Sequence, residues 1–87
     1  MRILGREVQR QKTLRELMVE NTDADTRTHK VLGALEEICM QFDLAKPIWL
    51  ERNINEFQKH AKTRFTADSF VEEIPFDYLE LSVIEED

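Results

Sequence analysis

The run Phe76-Asp77-Tyr78-Leu79-Glu80-Leu81-Ser82-Val83-Ile84 decides the fold class of this chain. Leu79, Leu81 and Val83 alternate with Tyr78, Glu80, Ser82 and Ile84, so an extended backbone sends the two sets to opposite sides. Aromatic and branched side chains are concentrated here, and Pro75 precedes the run. Both features favour a strand over residues 76–84. A strand carries rows of backbone donors and acceptors that must be paired once they are buried, so the rest of the chain has to supply a ladder partner.

The middle of the sequence cannot supply it, because it reads as helix. Val31, Leu35, Ile38 and Phe42 fall at i, i+4, i+7 and i+11, one face of an α-helix, and Leu32, Ala34 and Cys39 widen the stripe. Asn21-Thr22-Asp23-Ala24-Asp25 reads as its start, with Thr22 or Asp23 as cap. The helix should stop before Lys46-Pro47, since the residue ahead of a proline avoids the α region. A second, shorter helix is predicted after Trp49, with Asn53 as cap, Glu56 three residues on, and Leu50, Ile54, Phe57 and Ala61 at helical spacing. Residues 62–75 read as irregular, with a short helical turn around Asp68–Glu72.

That leaves residues 1–20. Propensity in Ile3–Val19 favours helix, whereas Ile3–Val8 and Leu14–Val19 would make a hairpin turning near Gln9–Lys12, and periodicity alone does not separate the two. The ladder requirement and the charge do. Arg2, Arg6, Arg10, Lys12 and Arg15 face a single acid, Glu7, in residues 1–15, while residues 68–87 hold eight acids and no base. Basic and acidic strands side by side form favourable cross-strand pairs of about 0.2–1 kcal/mol each. The expected fold is therefore α+β: a small antiparallel sheet in ββααβ order, three strands with two helices on one face. The alternative is a mostly helical chain whose one C-terminal strand pairs across a dimer axis.

At 87 residues the chain is one domain, 1–87, able to bury a core without staples. Its charged fraction of 34% exceeds the usual ~25%, which implies a well-solvated surface. Gly5 and Gly33 are its only glycines, too few and too scattered for a phosphate-cradling loop. The single Cys39 excludes an internal disulfide. There is no secretory leader in residues 1–8 and no apolar run near the ~20 residues of a membrane span, so a reducing cytoplasm is the expected compartment.

Chemistry-bearing residues are present but do not assemble into a motif. His29 and His60 lie on different elements, with no cluster at zinc-ligand spacing. Cys39 sits beside the apolar stripe behind Glu36 and Glu37, the opposite of the basic setting that activates a thiol. The acid pairs Glu36/Glu37, Glu72/Glu73 and Glu85/Glu86 are adjacent in sequence and so diverge in direction, unlike a catalytic pair. No catalytic, metal or cofactor residues are assigned, and no enzyme activity is expected. Trp49, between Ile48 and Leu50, reads as a plug in the core, or else as an aromatic anchor for a partner. Arg2, Arg6, Arg10, Lys12 and Arg15 are the candidate anion contacts of a nucleic-acid reading, though residues 1–20 hold no aromatic to stack a base and the net charge is −6. Lys62-Thr63-Arg64-Phe65 reads as a basic, solvated helix end.

Met1-Arg2-Ile3-Leu4-Gly5, Lys46-Pro47-Ile48-Trp49-Leu50, Lys62-Thr63-Arg64-Phe65, Phe76-Asp77-Tyr78-Leu79-Glu80 and Val83-Ile84-Glu85-Glu86-Asp87 together resemble a group of short bacterial proteins to which no activity is assigned. The resemblance covers nearly the whole chain and implies a self-contained bacterial protein.

The functional expectation is a small cytoplasmic protein-interaction protein, partnered by another protein or by a second copy. A small open sheet leaves edges, and edges accept strands. The expected surface is Tyr78, Glu80, Ser82 and Ile84 on the C-terminal strand, with Trp49.

Overall fold

The computed structural model describes residues 1–87. Strands β1 (Arg2–Gln9) and β2 (Lys12–Glu20) form the N-terminal hairpin, followed by helices α1 (Arg27–Gln41) and α2 (Glu51–His60). Strand β3 (Lys62–Phe65), a single 3-10 turn at Ala67–Ser69 and strand β4 (Tyr78–Glu85) complete the chain. The four strands make one sheet in the order β2-β1-β4-β3, antiparallel throughout. The ββααβ expectation is met, and the alternative of a lone strand pairing across a dimer axis is set aside: β4 finds both of its neighbours within its own chain.

The expected third strand is therefore the fourth. β3 lies in the stretch read as irregular, within the segment read as a basic helix end. Ala61, in the left-handed conformation at φ 54°, ends α2 and turns the chain straight into β3. Thr63 and Phe65 then point inward and Lys62 and Arg64 outward, an alternation too short to register on its own.

Helix boundaries also move, for local reasons. Thr26, not Thr22 or Asp23, caps α1: its hydroxyl accepts from the His29 amide at 3.2 Å, while the Asp25 carboxylate takes the Thr26 amide at 2.7 Å. α2 begins one residue after Leu50. Asn53 is not its cap but its third residue, reaching back to the Leu50 amide at 3.0 Å. From there its amide nitrogen also donates to Thr63 Oγ1 at 2.9 Å and to the Arg64 carbonyl at 3.0 Å, which ties α2 to β3.

Both helices lie on one side of the sheet. Val31, Leu35, Ile38 and Phe42, the stripe read from sequence, are all buried and meet Ile3, Val19, Phe65, Leu79 and Leu81 from the strands. Gly5 is needed where α1 crosses β1, since a Cβ there would stand 2.7 Å from both Ile38 Cδ1 and Ile38 Cγ2. Burying these side chains contributes about 1.5–3 kcal/mol each, the main driving force of the fold. Trp49 is half-buried and wedged edge-on between Phe57 and Phe65, at centroid distances of 5.5 and 5.0 Å.

Candidate interaction surface

The strand order determines which backbone is free. β4 carries ladders on both sides, so it cannot accept a further strand, and the expectation that it presents the interaction surface has to be corrected. Tyr78, Glu80, Ser82 and Ile84 do share the face turned away from the helices. Yet Glu80 is 3% exposed and Ser82 5%, Tyr78 is half-covered with the Arg64 guanidinium 4.6 Å above its ring, and only Ile84 stands clear. Trp49 packs against Phe57 and Phe65 and, half-buried, lines the groove between the helices.

Glu80 is the centre of a charge row that crosses the open face. The register places Arg64, Glu80, Arg6 and Glu16 side by side on β3, β4, β1 and β2. Arg6 bonds Glu80 Oε1 at 2.7 Å and Arg64 bonds Oε2 at 3.2 Å, while Arg6 also donates to Thr13 Oγ1 at 2.9 Å. Burial opposes ionisation of Glu80, but the two guanidinium hydrogen bonds outweigh it and hold the carboxyl below its usual range. The basic N-terminus and the acidic C-terminus are thus balanced within one sheet.

The five candidate anion contacts are not brought together. Arg2 and Arg6 lie on the open face. Arg10 sits in the hairpin turn, its amide on Asp77 at 2.8 Å, and Lys12 follows it. Arg15 projects to the opposite, helix-bearing face, where it grips Glu7 with two bonds of 2.6 and 3.0 Å and donates to the Phe42 carbonyl at 2.6 Å. That contact closes the C-terminal end of α1, where a cation is favoured by the helix dipole. Two of the five are therefore committed to carboxylates within the fold.

The remaining chemistry is dispersed. His29 pairs with Asp25 at 2.9 Å on an exposed helix turn. Burial pushes the Cys39 thiol up to about 11. No group of three or more His, Cys, Asp or Glu side chains is placed to hold a metal ion. The larger cleft, about 420 Å³, opens beside Arg15, Phe42 and Phe76 and is rimmed by Glu72 and Glu73. A groove of about 340 Å³ between the helices is lined by Val31, Leu32, Trp49, Ile54 and Phe57.

Free backbone is found at the two sheet edges. β3 is four residues long, and the register puts the Arg64 carbonyl on its outer side, where Asn53 takes it. The edge of β2 is nine residues long, contains no proline and has no element beyond it. Met1 and Asn21 exchange both backbone hydrogen bonds, at 2.9 Å each. Antiparallel alternation then turns Val19, Leu17 and Arg15 toward β1, and turns the amides and carbonyls of Glu20, Met18 and Glu16 outward. Along this edge Met18 and Leu14 are exposed and Leu17 is half-buried.

Comparison with protein-family models, with curated proteins and with solved structures returns no match to this chain. The surface has to be read from its geometry. No motif in the sequence marks the free edge at Glu16 and Met18; it follows from the strand order.

Proposed function

We propose that this is a protein-interaction module that receives an extended segment of a partner on the outer edge of β2. The observation that carries the reading is the outward row of unbonded amides and carbonyls at Glu16, Met18 and Glu20, on a strand with neither proline nor a covering element. Such an edge templates a further strand: the backbone supplies the affinity, and alternate side chains supply the selectivity. Within the cleft Glu7 and Arg15 are already bonded to each other, and the inter-helix groove is mostly apolar, which favours binding over catalysis. A reducing cytoplasm suits a chain whose one cysteine is buried and unpaired, and no helix is long and apolar enough to cross a membrane.

The test is site-specific photo-crosslinking with benzophenone side chains at position 18 and, separately, at position 54 in the inter-helix groove. Host extract supplies the partners, and the cross-linked segment is identified by mass spectrometry. The expected result is an adduct at position 18 that disappears when Glu16→Pro blocks the edge. Adducts at position 54 with none at position 18 would refute the reading.

A further inference from the structure

Among the centres from Arg15 to Val19, one register lets the β2 edge meet its own copy without opposed like charges or loss of the strand, and we infer that the partner is a second copy of β2 in that register, centred on Leu17. This rests on the strand-acceptor reading above and specifies its occupant.

A twofold axis perpendicular to the sheet would join two edges into one eight-stranded sheet with all four helices on the same side. Paired residues then face the same way, so the axis must pass through a residue and not between two. The local sequence is Arg15-Glu16-Leu17-Met18-Val19-Glu20, and charge selects among the centres. An axis at Glu16 sets that carboxylate against its own copy. An axis at Met18 sets Glu16 against Glu20 twice. An axis at Arg15 opposes two guanidinium groups and runs into the bulge, where the register slips opposite Glu7/Val8. Like charges directly opposite are destabilising in a sheet. An axis at Val19 runs past the end of the strand at Glu20 and opposes Leu17 with Asn21.

The axis at Leu17 avoids all of these. Arg15 pairs with Val19, Glu16 with Met18 and Leu17 with its own copy. The outward-facing amides and carbonyls of Glu16 and Met18 then meet those of Met18 and Glu16 on the other chain, closing ladder bonds that the monomer leaves open. Leu17 turns its own backbone inward to β1, so the two Leu17 residues form a non-hydrogen-bonded pair, the narrow kind with Cα atoms about 4.5 Å apart. Half-buried Leu17 gains its twin on the helix side, and exposed Met18 gains the other Met18 diagonally on the open side. Five residue pairs make a small contact, so the dimer belongs to the weak, concentration-dependent class.

Cα atoms at that spacing lie within disulfide range. Under mild oxidation at high micromolar concentration, Leu17→Cys is expected to form a disulfide-linked dimer at least tenfold faster than Ile54→Cys, and wild type, whose Cys39 is buried, is expected to form none. Met18→Pro is the second variant. The Met18 amide faces out and bonds nothing in the monomer, so proline removes a donor only from the dimer. Light scattering at rising concentration should show wild type moving toward twice the monomer mass while Met18→Pro, with an unchanged circular dichroism spectrum, stays at one. Equal cross-linking rates for Leu17→Cys and Ile54→Cys, or a dimer that survives Met18→Pro, would overturn the inference. A monomeric wild type that still gives the position-18 adduct from host extract would overturn the second copy and leave the strand-acceptor reading standing. Loss of both results would remove both.

Discussion

Two glycines on facing elements have opposite requirements. At Gly5 an added methyl group would strike Ile38, so Gly5→Ala is expected to cost about 1–3 kcal/mol by overpacking. Trimming the obstacle with Ile38→Ala should make the double variant less unstable than the sum of the singles, which a urea-denaturation cycle reads directly. Gly33 lies exposed within α1 with nothing within 4 Å of an added Cβ. Gly33→Ala should therefore stabilise by about 0.5–1 kcal/mol, because alanine loses less chain entropy in a helix. At Glu80 the folded carboxyl titrates below its unfolded value of about 4.3. Its contribution is complete above that pH and is lost as pH falls through the depressed folded value. Wild type should thus lose stability below pH 4.3, and Glu80→Gln, less stable at pH 7, should lose less of what remains. Urea midpoints at pH 7 and pH 3 test this, and parallel losses in the two proteins would contradict it.

The hairpin turn between β1 and β2 is built from unfavourable residues. Arg10 at φ 52° and Gln11 at φ 66° both occupy the left-handed region, the signature of a type I′ turn, where Asn-Gly is preferred. Replacing the pair by Asn-Gly should raise stability by about 1 kcal/mol, or roughly 4–8 °C in melting temperature for a domain of this size. An unchanged melting curve would mean that the strain is relieved elsewhere. The same turn shows how far elements were legible. The hairpin around Gln9–Lys12 is legible, because the C-terminal alternation demands a partner and charge points to the N-terminus. The α1 stripe was legible in full, because 15 residues give four repeats of one face. β3 is not legible, because four residues hold only two inward positions, and what makes them a strand is the ladder to β4, with Asn53 of α2 on the outer side. Caps shifted for a similar reason: several Asp, Thr and Asn side chains compete at each helix start, and only the geometry selects among them.

At the scale of the whole molecule, the fold class follows from sequence while the surface does not. Whether a strand is central or peripheral depends on its neighbours, and nothing in the pattern Tyr78, Glu80, Ser82, Ile84 distinguishes the two. The acidic Glu80 suggested exposure, yet Arg6 and Arg64, 74 and 16 positions away in the chain, pay for its burial. β2, with charges on both faces and a lone arginine turned inward to Glu7, gave no sign of being the free edge. A chain ending at Phe76 lacks β4, which separates β1 from β3. That fragment is expected to lose cooperative unfolding and to associate, as seen by near-ultraviolet circular dichroism and light scattering; a monomeric, cooperatively melting fragment would contradict this.

Because β4 fills the middle of the sheet last, the protein also has a timetable. A ribosome adding roughly 5–20 residues per second takes roughly 3–12 s to go from the end of the hairpin at Glu20 to the start of β4 at Tyr78. A hairpin closes in microseconds, so throughout that interval β1 shows the nascent surroundings the side that β4 will later occupy. The newborn chain thus has two adhesive margins where the finished one keeps a single long one, and its most vulnerable period ends only when β4 emerges.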